Sequence, residues 1–219
     1  MDPRPGDRRR AALRLTLTVA RPGEVGAGPG PIPRLHAIVT DEVADRPDFE
    51  REARALWSRA GEELALHLRL RRAPARRLFE LARRHAGRAR EAGGWCLVHR
   101  RVDVALAAGA HGVQLGAGAL PARTARRLLG PDAAVGVSAH APAEARGARR
   151  AGANLVLLGT IYPTPSHPRR PGAGPARIAA CRDAGPPIVA IGGITPERVA
   201  AATGAGAHGV AALRGIWEA

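Results

Sequence analysis

A single closed parallel (β/α)8 barrel, a TIM barrel whose eighth helix is short or absent, is the fold class predicted by three features of the sequence. The first is a repeat: "AGAHGV" stands at Ala108–Val113 and again at Ala205–Val210, and a near-copy, "AGANLV", begins at Ala151. Each copy reads as a junction in which an Ala-rich helix ends, Gly takes the left-handed position past its last turn, and an apolar strand begins. The second is a rhythm from Leu35 onward, where short β-branched or Leu-rich runs alternate with longer Ala/Arg/Glu runs of helical period. The third is the final "GIWEA", which leaves little length for a full eighth helix.

Taken in chain order, residues 1–33 include "RPGEVGAGPGPIPR", too rich in Gly and Pro for a helix or central strand. They are expected to form a flexible or loosely packed extension in which "LRLTLTV" could add an edge strand, with the barrel domain over 34–219. The eight expected strands are "LHAIVT", "ELALHLRL", "WCLVHR", "GVQLG", "AVGVSAH", "NLVLLGTIY", "PIVAIGG" and "GVAALRG". Between them lie helices near 49–60, 74–91, 102–109, 121–129, 142–152, 175–184 and 196–204. Short connections between so many alternating elements favour a closed barrel over an open doubly wound sheet. The "AGAHGV" junctions then fall at the bottom of the barrel, so His111 and His208 are expected to be structural.

A chain of 219 residues, 45% hydrophobic, can bury one good core, and the repeat favours one domain. Its 34 basic residues against 19 acidic ones give a formal charge of +15, yet the sequence contains no lysine. Arginine-only basicity beside abundant Ala, Gly and Pro reads as compositional bias, so a nucleic-acid partner is not expected despite the charge. Without lysine no side chain can form a Schiff base, which excludes a lysine-imine aldolase. Cys96 and Cys181 have neither metal-ligand spacing nor a disulfide pattern and read as small core residues in a reducing compartment. No run approaches the roughly 18 apolar residues of a membrane span. The charged "MDPRPGDRRR" and the Arg-interrupted "AALRLTLTVA" argue against a secretory signal, and a cytoplasmic location is expected.

In this architecture active residues sit at the carboxyl ends of strands. In "VGVSAH", Ser138 and His140 point to the same face; His140 reads equally as an acid/base in the barrel mouth and as a surface residue capping the next loop. In "AIGGIT" followed by "PERVA", Gly192 and Gly193 expose backbone N–H groups ahead of a helix that Thr195 can cap and Pro196 can begin, which makes an anion cradle. Leu213 and Arg214 of "AALRG" would close it. In "LALHLRLRR", His67, Arg69 and Arg71 share a strand face; Arg69 is the better choice to hold a carboxylate or phosphate, since Arg71 reads nearly as well as a solvated charge. The proline-stiffened "GTIYPTPSHPRRPGAGPAR" suits a lid or substrate-shaping loop, and Gly174 could add an amide to the anion site. The pattern assigns no role to His67, His99 or His167.

In this order the segments "LHAIVTDE", "HLRLR", "RRVDVALAAGAHGVQLG", "GVSAHAPAEA", "LVLLGTIYPT" and "PIVAIGGITPERV" resemble the thiamine phosphate synthase and thiazole tautomerase superfamily, from about Leu35 to Ile216. In that superfamily the synthase joins a pyrimidine diphosphate to a thiazole phosphate, with acidic residues on Mg²⁺ and a lysine on the departing diphosphate. By the resemblance its metal aspartates fall here on Arg100 and on Ala119 of "LGAGAL", and its lysines on His167 and Arg71. A hard cation requires oxygen ligands, so these departures point away from Mg²⁺. The tautomerase branch needs no metal, and its catalytic histidine, in a "SxH" stretch, falls on His140. The resemblance therefore implies a metal- and cofactor-independent isomerase that aromatises a carboxylated thiazole phosphate. His140 would shuttle the proton, Gly174, Gly192, Gly193, Leu213 and Arg214 would hold the phosphate, and Arg69 and Ser138 the carboxylate or ring. The alternatives are the Mg²⁺-dependent synthase and an inactive regulatory homologue. The expected partner is a small phosphorylated thiazole, with no membrane; a homo-oligomer is left open.

Overall fold

The computed structural model describes residues 30–166, 168 and 171–218, so most of the extension expected over 1–33, and His167, lie outside the described residues. Parallel strands close a barrel in chain order: β1 (Leu35–Val39), β2 (Leu64–Leu68), β3 (Trp95–His99), β4 (Gly112–Leu115), β5 (Ala134–Ala139), β6 (Leu155–Gly159), β7 (Ile188–Ile191) and β8 (Gly209–Ala212). The seam is β8 on β1, in the register Leu35 to Val210. Each strand coincides with one read from the sequence. The stretch Thr160–Tyr162, expected to prolong the sixth strand, leaves the sheet, although the N–H groups of Ile161 and Tyr162 still donate to Ile191 O and Gly192 O, each at 2.9 Å.

The helices are α1 (Asp41–Ala44), α2 (Phe49–Ala60), α3 (Ala75–Ala92), α4 (Val102–Ala107), α5 (Ala122–Leu129), α6 (Pro142–Arg150), α7 (Pro175–Cys181), α8 (Pro196–Gly204) and α9 (Arg214–Trp217). The short α9 stands where a stunted eighth helix was expected. It is held by its last residue, the buried Trp217, whose indole N–H donates to Ile38 O at 2.7 Å. Among the described residues no helix is long and apolar enough to cross a membrane.

The alternation of strand side chains sorts the core into two layers. Ile38, Ala65, Leu97, Leu157, Val189 and Ala211 fill the barrel, with Ile32 packed among them, while Leu35, Leu66, Val98, Val113, Leu158 and Val210 face the helices. By the same parity His36, His67 and His99 point inward with their even- or odd-numbered neighbours.

The repeated hexapeptide is explained at the bottom of this barrel. Gly109 and Gly206 adopt φ of +62° and +102°, the left-handed turn that separates helix from strand. The second glycine of each copy starts a strand against a neighbour's backbone. A Cβ at Gly112 would come within 1.9 Å of Ala134 O, and one at Gly209 within 2.3 Å of Arg34 O. The intervening histidines tie the same junctions. His111 donates its backbone N–H to Cys96 O at 2.9 Å and accepts from Cys96 N at its Nδ1 at 3.2 Å. His208 donates its Nε2–H to Ile32 O at 2.8 Å.

Candidate functional site

The carboxyl ends of the strands open into a cavity of about 220 Å³. Arg69, Ser138, His140, Gly192, Gly193, Leu213 and Arg214, chosen from the sequence, all line it. Gly174 does not: at φ +70° it precedes α7, and its N–H is taken by Ile161 O at 2.9 Å, so it adds no amide to the cavity.

On the β2–β3 wall, Arg69 extends the ladder by donating its N–H to Val39 O at 2.8 Å. Its half-buried guanidinium is destabilised by burial and by the charge of Arg71, and Glu42, the carboxylate whose charge reaches it, is paired with Arg72 at 2.7 Å. Arg71 does not share that face. The strand ends at Leu68, and the chain turns because buried Asp41 accepts N–H bonds from Arg71 at 2.8 Å, Arg72 at 3.2 Å and Ala73 at 2.9 Å. Burial acts against the Asp41 carboxylate, but those amides and the charge of Arg72 outweigh it and lower its pKa. His99 lines the cavity with a buried Nε2 that has no hydrogen-bond partner among the described residues. Arg100 follows at φ +64°, unusual for a non-glycine residue. It is held by its N–H on Gln114 O at 3.0 Å and its Nη2 on Gly118 O at 2.7 Å.

On the β5–β6 wall, Ser138 Oγ accepts from Gln114 Nε2 at 3.3 Å. The exposed ring of His140 is anchored by Nδ1–H on Gly159 O, its backbone N–H donates to Glu144 Oε2 at 2.8 Å, and Arg177 holds its carbonyl. That leaves Nε2 as an acceptor with no partner among the described residues, at the cavity rim.

On the β7–β8 wall, Gly192 and Gly193 turn at φ +102° and +61°. A Cβ at Gly192 would meet Thr160 Cγ2 at 2.6 Å, and one at Gly193 would meet Pro163 O at 2.5 Å. Only bare backbone fits there, the form of surface that cradles an anion. Arg198 donates to Gly193 O at 2.7 Å and stacks over the Tyr162 ring at 4.7 Å, clamping turn and loop together. The Arg214 side chain pairs with Glu218 at 3.2 Å.

Sequence reasoning overlooked Thr160, Thr164, Ser166, Gly215 and the placement of His99, all on the cavity wall. His99 had a signal in its parity with Leu97. The hydroxyl residues stand within a loop already marked as substrate-shaping.

The barrel histidines have a consequence for stability. His36 donates Nε2–H to Pro33 O at 2.8 Å and accepts at Nδ1 from His67 Nε2 at 2.8 Å, which fixes both as neutral tautomers. Burial, opposed by the Pro33 bond and aided by the charge of His208, pushes His36 down to about 3. Burial and the charges of Arg69, Arg71 and Arg100 push His99 down to about 3. Between about 6.5 and 3 the unfolded chain therefore binds more protons than the folded one, so stability is lost as pH falls through that interval. Chemical denaturation at successive pH values should show this slope, and His99→Asn should flatten it by about 1.4 kcal/mol per pH unit. An unchanged slope in that variant would contradict the buried neutral state.

The profile of the family described as thiamine monophosphate synthase matches residues 36–216. The chain belongs to that family. Within it, a thiamine-phosphate synthase of Moorella thermoacetica is 39% identical over 187 residues, covering 83% of this chain and 87% of that one. A bifunctional ThiM/ThiE thiamine biosynthesis protein of Symbiobacterium thermophilum is 43% identical over 149 residues, 65% of this chain, and this chain spans only 28% of its length. The solved thiamine phosphate pyrophosphorylase of Pyrococcus furiosus superposes with a TM-score of 0.72 at 28% identity, over 85% of this chain and 88% of that one. These relatives carry transferase names. They overturn the expected tautomerase reading and, with it, the isomerase class.

Proposed function

We propose that the cavity makes thiamine phosphate, the product named in its relatives, by joining a pyrimidine diphosphate to a thiazole phosphate. A carbon–oxygen bond to the diphosphate breaks, a carbon–nitrogen bond to the thiazole ring forms, and inorganic diphosphate departs. The observation that carries this reading is two anion-ready walls facing one cavity, in a chain whose relatives are named as synthases. The bare glycine turn after β7 suits the monophosphate of the thiazole. Arg69, across the cavity, suits the diphosphate, whose charge grows as it leaves. Attack by a ring nitrogen's lone pair moves no proton, so His140 is not needed as a base; its Nε2 and Ser138 orient substrate at the rim. Cys96 and Cys181 are free thiols, both buried, in keeping with a cytoplasmic setting.

The family's Mg²⁺ does not fit the groups present. Among the described residues no carboxylate lines the cavity. Buried Asp41, just past β1, has both oxygens engaged by the amides of residues 71–73. Among the described residues no group of three or more His, Cys, Asp or Glu is placed to hold a metal.

Purified protein given both substrates should produce thiamine phosphate and inorganic diphosphate in equal amounts, read by mass spectrometry and a diphosphate assay. Folded protein that yields neither, with or without added Mg²⁺, refutes the reading.

A further inference from the structure

The positions where the family's metal carboxylates fall, Arg100 and Ala119, flank a contact the structure makes by other means. The Arg100 guanidinium reaches from the end of β3 to the loop after β4 and donates to Gly118 O at 2.7 Å, beside Ala119. A Cβ on Gly118 would stand 3.0 Å from Arg100 Nη2, so the arginine lies closely against this loop. A carboxylate pair facing across that gap would gather a cation; here a fixed cation spans it. The backbone at Arg100 takes the left-handed conformation, at φ +64°, and is held there by its N–H bond to Gln114 O. One residue earlier His99 lines the cavity, and Arg69 lines it from the neighbouring strand. Arg100 follows His99 directly at the end of β3, so its guanidinium, held on the loop after β4, stands next to the wall that His99 and Arg69 line. Arginine stays protonated, binds phosphate oxygens through paired N–H groups, and supplies neutralising charge without oxygen ligands.

We propose that this site holds the departing diphosphate without a divalent cation, with Arg100, fixed on Gly118 O, and Arg69 supplying the neutralising charge a metal would otherwise bring. The inference rests on the transferase reading for its substrate, but diphosphate binding tests it separately. In that binding no bond is made or broken. In the transfer, the guanidinium groups keep their protons while the carbon–oxygen bond breaks and the diphosphate takes the electron pair.

The test uses the full chain and inorganic diphosphate as probe, titrated by calorimetry in excess chelator and again in millimolar Mg²⁺, beside product formation under both conditions. The expected result is binding in chelator with a Kd within about threefold of that in Mg²⁺. Arg69→Ala and Arg100→Ala should each weaken it by roughly 10- to 100-fold, the scale of losing hydrogen bonds to a charged group. The double substitution Arg100→Asp with Ala119→Asp should make binding chelator-sensitive. Binding that appears only with Mg²⁺, or not at all, overturns the inference. So does full binding in Arg100→Ala and Arg69→Ala. Binding in chelator without product under either condition leaves the inference standing and overturns the transferase reading.

Discussion

Arg69→Ala lowers kcat/KM for diphosphate release by about 100- to 1000-fold, the scale of removing one preorganised donor from a developing anion, and shifts the thermal midpoint by less than about 2 °C. The two halves of this expectation come from different observations. Arg69 is fixed to the sheet by its backbone, through the N–H bond to Val39 O at 2.8 Å, which alanine keeps. Its side chain is half-buried and repelled by Arg71, while Glu42, whose carboxylate charge reaches it, is bound elsewhere, to Arg72. A cation held in that state costs the fold something and is relieved when an anion arrives. Arg69→Lys should restore only part of the rate, because an ammonium keeps the charge and loses the two-pronged geometry. Arg72→Ala is the control. It removes an exposed pair with Glu42, worth about 0.2–1 kcal/mol at most, and keeps the backbone N–H that Asp41 accepts. Equal activity in wild type and Arg69→Ala would remove the arginine from the reaction.

The barrel and most of the cavity wall were legible because their signals are local. Strand parity puts Ser138 on the inner face, strand ends place Arg69 and His140, and a double glycine ahead of Pro196 marks a backbone turn whatever else the fold does. The failures are non-local. Arg71 was set on a strand face because "LHLRLRR" alternates to its end, yet Asp41, thirty residues away in sequence, captures three successive amides and bends the chain first. Gly174 looks like a free amide until Ile161 O is seen across the loop. The branch of the family is hidden in the sequence for a related reason. In the sequence Arg100 and Ala119 stand as missing carboxylates, and so as missing chemistry. That Arg100 bridges to Gly118 and puts a charge where a ligand was expected is a contact between two loops that no spacing rule displays.

Gly193→Ala should damage the other wall most. At φ +61° an L-residue costs about 1–2 kcal/mol in backbone conformation alone. The added Cβ would also stand 2.5 Å from Pro163 O and 2.8 Å from Tyr162 Cβ. Neither can yield easily. Tyr162 N–H is bonded to Gly192 O at 2.9 Å, and Arg198 grips Gly193 O while stacked on the Tyr162 ring. Relief therefore requires the loop after β6 to move as a unit, carrying Thr164 and Ser166 off the cavity wall. The combined cost of strain and overpacking is about 2–4 kcal/mol, or a fall of roughly 4–16 °C in thermal midpoint for a chain of this size. KM for the thiazole phosphate should rise by about 100-fold, and KM for the pyrimidine diphosphate far less, because Arg69 lies on the opposite wall; a few kcal/mol of lost anion contact corresponds to that ratio. Gly204→Ala separates this from a general intolerance of alanine: nothing lies within 4 Å of a Cβ there, at the end of α8, and stability should hold or rise. If Gly193→Ala keeps the wild-type KM for the thiazole phosphate, the phosphate is not bound at this turn.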